Sequence, residues 1–131
     1  MIDRKPLIVV VHQNHGALEA LEALLSENGY RVSTFITAFR AIDYVGRNRP
    51  DLVLAQEPRH KPQGIEFLES IKRISPTTEG VFLPSPLNLD ASGHRLCQGQ
   101  AEELLRIIDR LLGIMVIPER RYAPQTRPLV V

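Results

Sequence analysis

A continuous apolar run near the start of the chain constrains the fold more than any other feature. Leu7-Ile8-Val9-Val10-Val11 is rich in β-branched residues and shows no alternation of apolar and polar side chains. Such a run is typical of a central parallel strand whose two faces are both covered. Strand and helix patterns then alternate, with strands predicted at 30–35, 51–55 and 80–83 and amphipathic helices at 17–28, 38–45, 65–74 and 100–112.

This alternation predicts an α/β protein, an open parallel sheet with helices on both faces. Arg95-Leu96-Cys97 is a candidate for a short fifth strand, so a five-stranded sheet is expected. Residues 87–93 lack a helical period, and no full helix is therefore expected between the fourth strand and the fifth.

The composition limits the classes of partner. The 131 residues are 44% hydrophobic, which fits one globular domain. A net charge of +1 and the absence of tryptophan argue against nucleic-acid binding. A single cysteine cannot form an internal disulfide and suits a reducing compartment, and no apolar run approaches the ~20 residues of a membrane span. We therefore expect a cytoplasmic protein without nucleic-acid or membrane partners.

Ligand sites in open parallel sheets lie at the carboxyl ends of the strands. Four sets of residues follow the predicted strands, namely His12 and Gln13, Gln56, Pro84 and Ser85, and Cys97. Gln56 is the most informative of them, because a carboxamide neither attacks phosphorus nor holds a metal ion as a carboxylate does.

Residues from about Lys5 to Gly113 resemble the receiver domain of bacterial two-component response regulators. Five segments carry the resemblance: Leu7 to Val11, Asn28-Gly29-Tyr30-Arg31-Val32, Thr37-Ala38-Phe39-Arg40-Ala41-Ile42, Arg49-Pro50-Asp51-Leu52-Val53-Leu54 with Gly64 eight residues after Gln56, and Ala101-Glu102-Glu103-Leu104-Leu105. The resemblance implies a receiver-like domain of the flavodoxin-like fold class over residues 1–113. Residues 114–131 would then form an extension, an apolar segment followed by a tail with proline and arginine.

The resemblance also implies which positions correspond to the phosphorylation pocket. In the family, an acidic pair holds Mg²⁺, an aspartate accepts the phosphoryl group, a Thr or Ser senses it and a lysine contacts it. His12 and Gln13 fall at the acidic pair, Gln56 at the aspartate, Pro84 or Ser85 at the hydroxyl and Cys97 near the lysine. The interval from Ser85 to Cys97 is too short for the fourth helix of the family, which we expect to be shortened or missing.

The chemistry at these positions predicts a domain that is not phosphorylated. Phosphoryl transfer to a protein nucleophile needs an ionised oxygen and a cation, and Mg²⁺ is bound through carboxylates. The residues at the predicted strand ends supply no carboxylate. Glu57 is adjacent to Gln56, but a shift of one residue is expected to turn its side chain to the other face. We therefore expect neither enzymatic activity nor a cofactor.

An alternative is a small flavodoxin-like domain that uses the altered pocket for a metabolite or a metal. His12, His15, His60 and Cys97 are the candidate metal ligands, because imidazole and thiolate suit Zn²⁺ or copper. Their spacing matches no recognised zinc pattern.

The leading hypothesis is a signalling domain that works by protein binding. The expected partner is a histidine kinase or an output protein, with a homodimer as a further option. The residues assigned to this contact are Leu104, Ile108, Leu112, Ile114 and Val116. Glu19, Glu22 and Glu27 on the first helix form either a solvated face or a docking surface.

Overall fold

The computed structural model describes residues 5–57, 61–84 and 86–113. Strands and helices alternate through this part of the chain. In order they are β1 (Leu7–Val11), α1 (His15–Glu27), β2 (Arg31–Phe35), α2 (Ala38–Asn48), β3 (Leu52–Ala55), α3 (Lys61–Ile74), β4 (Glu79–Phe82) and α4 (Gln98–Leu112).

The four strands form one parallel sheet in the order β2-β1-β3-β4. Val9 of β1 lies opposite Ser33 of β2 and Val53 of β3. All residues of β1 and β3 are buried, as their uninterrupted apolar sequences predict for central strands. The flavodoxin-like α/β fold is thereby confirmed.

Helices cover both faces of the sheet. Ile8 and Val10 of β1 point to one face, where they pack in a core with α1 and α4. Val9 and Val11 point to the other, where they pack with α2 and α3. Each strand supplies both cores because successive side chains of a strand alternate between faces.

The segment between β4 and α4, residues 86–97, differs from the expected fifth strand. Leu96 forms an isolated antiparallel bridge with Leu89, so the segment folds back on itself instead of joining the sheet. A turn at Asp90 allows this, because Gly93 donates its backbone N–H to the Asp90 carbonyl at 2.9 Å and has a positive φ of 75°. Within the described residues the sheet has four strands. Residues 86–97 contain no helix, which confirms that the fourth helix of the expected pattern is missing.

Helix α1 begins at His15, two residues before the predicted start. The Asn14 side chain caps it, with Oδ1 accepting a hydrogen bond from the Ala17 backbone N–H at 2.9 Å. This cap places the start of α1 directly after the loop that leaves β1.

No helix in the described part of the chain is both long enough and apolar enough to span a membrane.

Candidate functional site

A pocket of about 240 Å³ opens at the carboxyl ends of β1, β3 and β4. Its polar side comes from the loops after β1 and β3, and its apolar side comes from the chain after β4. The lining residues are His12, Asn14, Ala17, Gln56, Glu57, Leu83, Pro84, Pro86, Leu87 and Leu89.

Gln56 connects two of the loops that border the pocket. Its backbone N–H donates to the Val11 carbonyl at 2.9 Å, which continues the pairing of β3 with β1 by one residue. Its side-chain Oε1 accepts a hydrogen bond from the Gln13 backbone N–H at 3.0 Å. The carboxamide oxygen is therefore used to hold the loop between β1 and α1.

His12 is held in a related way. Its Nδ1 accepts a hydrogen bond from the Asn14 backbone N–H at 3.0 Å, so in the neutral ring the proton lies on Nε2. Burial lowers the pKa of His12 below its usual value. A neutral imidazole at this position provides no positive charge for an anion.

Glu57 also lines the pocket, which corrects the expectation that it faces away from Gln56. β3 ends at Ala55, so the strict alternation of side chains no longer applies at residues 56 and 57. Among the described residues that line the pocket, Glu57 carries the one carboxylate, and neither lysine nor arginine is present.

The segment of residues 86–97 closes the apolar side of the pocket and packs on the start of α1. A Cβ atom at Gly16 would lie 2.6 Å from the Gly93 carbonyl oxygen and 3.6 Å from Leu89 Cδ1. Only a residue without a side chain fits at this distance, so Gly16 permits the close approach of the segment.

Two polar contacts continue this packing along α1. His94 Nδ1 contacts Glu19 Oε1, and Arg95 Nη2 donates to both carboxylate oxygens of Glu27 at 2.7 and 2.9 Å. The acidic face of α1 is therefore used partly within the molecule.

Further hydrogen bonds fix the segment at its start and at its turn. Gln100 of α4 accepts from the Asn88 backbone N–H at 2.6 Å and donates to the Pro86 carbonyl at 3.1 Å. At the turn, Asp90 accepts from the Ser92 hydroxyl and backbone N–H, and the hydroxyl hydrogen bond is the main reason that the pKa of Asp90 is lowered.

The structure brings together part of the predicted site. His12, Gln56 and Pro84 line one pocket, and Gln13 joins them through its backbone N–H. Cys97 is exposed at the N-terminal end of α4 and is not a lining residue, because residues 86–97 fold back before reaching the sheet. Ser85 lies outside the described residues.

The proposed metal ligands do not form a cluster in the described part of the chain, where no group of three or more His, Cys, Asp or Glu side chains could hold a metal ion. His15 is exposed in the first turn of α1, and Cys97 is exposed as well. His60 lies outside the described residues.

The predicted contact residues on the last helix are core residues. Leu104, Ile108 and Leu112 are 2%, 0% and 9% exposed and pack against the sheet and α1. Their helical spacing produces the apolar stripe that buries α4, so they are not available to a partner and their assignment to a contact surface is wrong. Ile114 and Val116 lie outside the described residues.

Three residues that position the site were not predicted. Asn14 could have been recognised as a helix N-cap, because it is an Asn directly before the helical pattern. Gly16 and Gln100 act through segments distant in sequence, and nothing in their local sequence signals these contacts.

Comparisons with known proteins agree with the fold. No family model matches the chain. The transcriptional regulatory protein ZraR of Klebsiella oxytoca is 28% identical to it over 102 residues, which cover 78% of this chain and 23% of that protein. The chain thus spans about a quarter of the length of this curated relative.

Solved receiver domains are similar over most of the chain. The signal receiver domain of an HD domain-containing protein from Pseudomonas fluorescens Pf-5 has a TM-score of 0.65 at 23% identity, covering 83% of this chain and 95% of that chain. The non-phosphorylated HemR receiver domain from Leptospira biflexa has a TM-score of 0.64 at 21% identity, with 96% and 100% covered. The chain therefore has the fold of response-regulator receiver domains.

Proposed function

We propose that the chain is a receiver-like signalling domain that is not phosphorylated at its pocket and acts by binding another protein. One observation carries the proposal. Gln56, at the end of β3, uses its side-chain oxygen to accept a hydrogen bond from the Gln13 backbone N–H. The position that would need an ionised nucleophile holds instead a neutral side chain with a structural role.

The other residues that line the pocket also support the proposed lack of phosphorylation. Transfer of a phosphoryl group develops negative charge that a metal ion or a basic side chain must neutralise. Glu57 alone could attack phosphorus, but the described lining offers no second carboxylate for Mg²⁺ and no lysine or arginine for the phosphoryl oxygens. Its exposed carboxylate is thus a poor nucleophile in this setting.

The segment of residues 86–97 supports a binding role that does not depend on phosphorylation. It is held on α1 by the Gly16–Gly93 approach and by the pairing of Arg95 with Glu27. These contacts do not involve His12 or Gln56, the pocket residues at the ends of β1 and β3. Residues 86–97 can therefore stay packed on α1 when no phosphoryl group is present.

The fold and the relatives support a protein partner from a two-component pathway. Receiver-like domains of two-component pathways contact histidine kinases or output proteins, and we propose a partner of one of these kinds, in the cytoplasm. The similarity to a transcriptional regulatory protein covers 23% of that protein, and we propose from it only the kind of pathway, two-component signalling.

A titration of the ¹⁵N-labelled chain with Mg²⁺ and beryllofluoride, a mimic of the phosphoryl group, tests the proposal. We expect no saturable change in the amide resonances of His12, Gln13, Gln56 or Glu57. A receiver domain that has the full acidic set serves as the positive control. A saturable response centred on these amides would overturn the proposed lack of phosphorylation.

A further inference from the structure

The outer edge of β4 is open in the described part of the chain. β4 pairs with β3 alone, and the backbone N–H groups of Glu79 and Leu83 donate to the Asp51 and Ala55 carbonyls. Backbone groups alternate in direction along a strand. The N–H and C=O groups of Gly80 and Phe82 therefore face away from the sheet, where they can receive another strand.

A groove runs along this edge on the face that α3 covers. Its volume is about 300 Å³, and Ile65, Leu68 and Lys72 of α3 face Gly80 across it. Ile65 is 55% exposed although it is a large apolar residue. Side chains of a strand added to β4 would enter this groove and cover Ile65 and Leu68.

The sequence after α4 contains a segment suited to this place. Ile114-Met115-Val116-Ile117 directly follows Gly113, at which α4 ends. Four consecutive apolar residues, three of them β-branched, favour a strand and need burial. Arg120 and Arg121 follow, and the groove is bordered by the carboxylate of Glu69 and by that of Glu79, which lies 3.7 Å from the Lys72 ammonium.

The handedness of strand connections indicates that this segment would pair with β4 of a second copy and not with β4 of its own chain. Helix α1 connects β1 to β2, and α4 lies on the same face of the sheet as α1. About 98% of parallel strand crossovers are right-handed. A right-handed connection through α4 therefore leads toward β2 and away from the outer edge of β4, and the segment would need the rare left-handed connection to pair with its own β4.

We propose that Ile114–Ile117 of one copy adds as a fifth strand to β4 of a second copy, in a reciprocal dimer with two-fold symmetry. Two of the four side chains enter the groove beside Leu68, and the outward N–H and C=O groups of Gly80 and Phe82 bond to the added strand. The proposed dimer depends on the open edge of β4 and not on the chemistry at Gln56.

Sedimentation equilibrium of the full chain and of two variants at one position tests the dimer. Val116→Pro removes a backbone donor and restricts the strand, so we expect the dimer dissociation constant to rise at least about tenfold. Val116→Ile keeps both β-branching and apolar character and should change the constant less than about threefold. A monomeric parent chain at high concentration, or equal association by both variants, would overturn the proposal.

A mixing experiment on chains that keep Val116 identifies which copy supplies the strand. A spin label is attached at Glu119→Cys in a Cys97→Ser chain without isotope, which is mixed with ¹⁵N-labelled parent chain. We expect broadening of the Gly80 and Phe82 amides in the mixed sample. Broadening confined to a chain that carries both label and isotope, or centred on β2, would contradict the exchange of strands between copies.

Discussion

The two sides of the pocket are built by different kinds of interaction. On the side of β1 and β3, Gln56 extends the backbone pairing of two fully buried strands and its side chain holds Gln13. On the side after β4, residues 86–97 lie outside the sheet. Leu87 and Leu96 pack partly buried against the core, and a close backbone approach and exposed charges hold the segment on α1. The difference shows that full burial in the apolar core fixes the receiver fold at β1 and β3, whereas the segment that departs from it is held by partly buried leucines and by surface contacts.

The largest effect should come from the core that both sides share. Ile108→Ala in α4 removes a fully buried side chain, and we expect the free energy of unfolding to fall by about 2–5 kcal/mol in chemical denaturation. Ile36→Ala, at a position 44% exposed, should cost less than about 1 kcal/mol. Equal losses would mean that α4 is not part of the core.

A matched pair of glycine substitutions tests the packing of residues 86–97 on α1. A Cβ at Gly16 meets the Gly93 carbonyl at 2.6 Å, so Gly16→Ala should lower the free energy of unfolding by about 1–3 kcal/mol. Gly99 lies in the first turn of α4 with nothing within 4 Å of its Cβ position. Gly99→Ala should therefore raise stability by up to about 1 kcal/mol. Stabilisation by both substitutions would contradict the close approach of the two segments.

The exposed ion pair should contribute less. A double-mutant cycle of Glu27→Ala and Arg95→Ala is expected to give a coupling energy of about 0.2–1 kcal/mol, because both side chains are about half exposed. Added salt should reduce this coupling. A coupling that salt leaves unchanged would indicate that the pair is not held by charge attraction in solvent.

The smallest effect should be the pH dependence due to His12. Burial holds its pKa in the folded state below the unfolded value of about 6.5, so the unfolded chain binds the proton more readily. Stability should therefore fall as the pH drops below about 6.5. Replacement by glutamine, His12→Gln, should make the loss smaller, as measured by urea unfolding at several pH values. An unchanged pH profile would show that His12 titrates alike in both states.

The sequence could predict the fold because the signals that specify it are local. The β-branched run of β1 and the apolar stripe of α4 report their elements directly, and their alternation leaves few topologies. The apolar stripe of α4 is also predicted to contact a partner, and this prediction is wrong. Helical spacing shows that a stripe is buried, but it does not show whether the same chain or another chain covers it.

The site could be predicted in part for a geometric reason. Residues after parallel strands meet at one edge of a sheet, which correctly placed His12, Gln56 and Pro84 around one pocket. Cys97 was misplaced because the turn at Asp90 reverses the chain, and the contacts that stabilise this reversal join Arg95 to Glu27, far away in sequence. Such contacts depend on the finished fold.

A phosphorylation assay on the intact chain tests most directly whether the pocket accepts a phosphoryl group. The protein is incubated with Mg²⁺ and a small acyl phosphate donor, and its mass is measured by mass spectrometry beside the Glu57→Gln variant and a receiver domain with the full acidic set. We predict that the chain and its variant keep their unmodified mass while the control gains a phosphoryl group. A stable gain of one phosphoryl group by the parent chain, mapped to Glu57 and lost in Glu57→Gln, would contradict the proposed lack of phosphorylation.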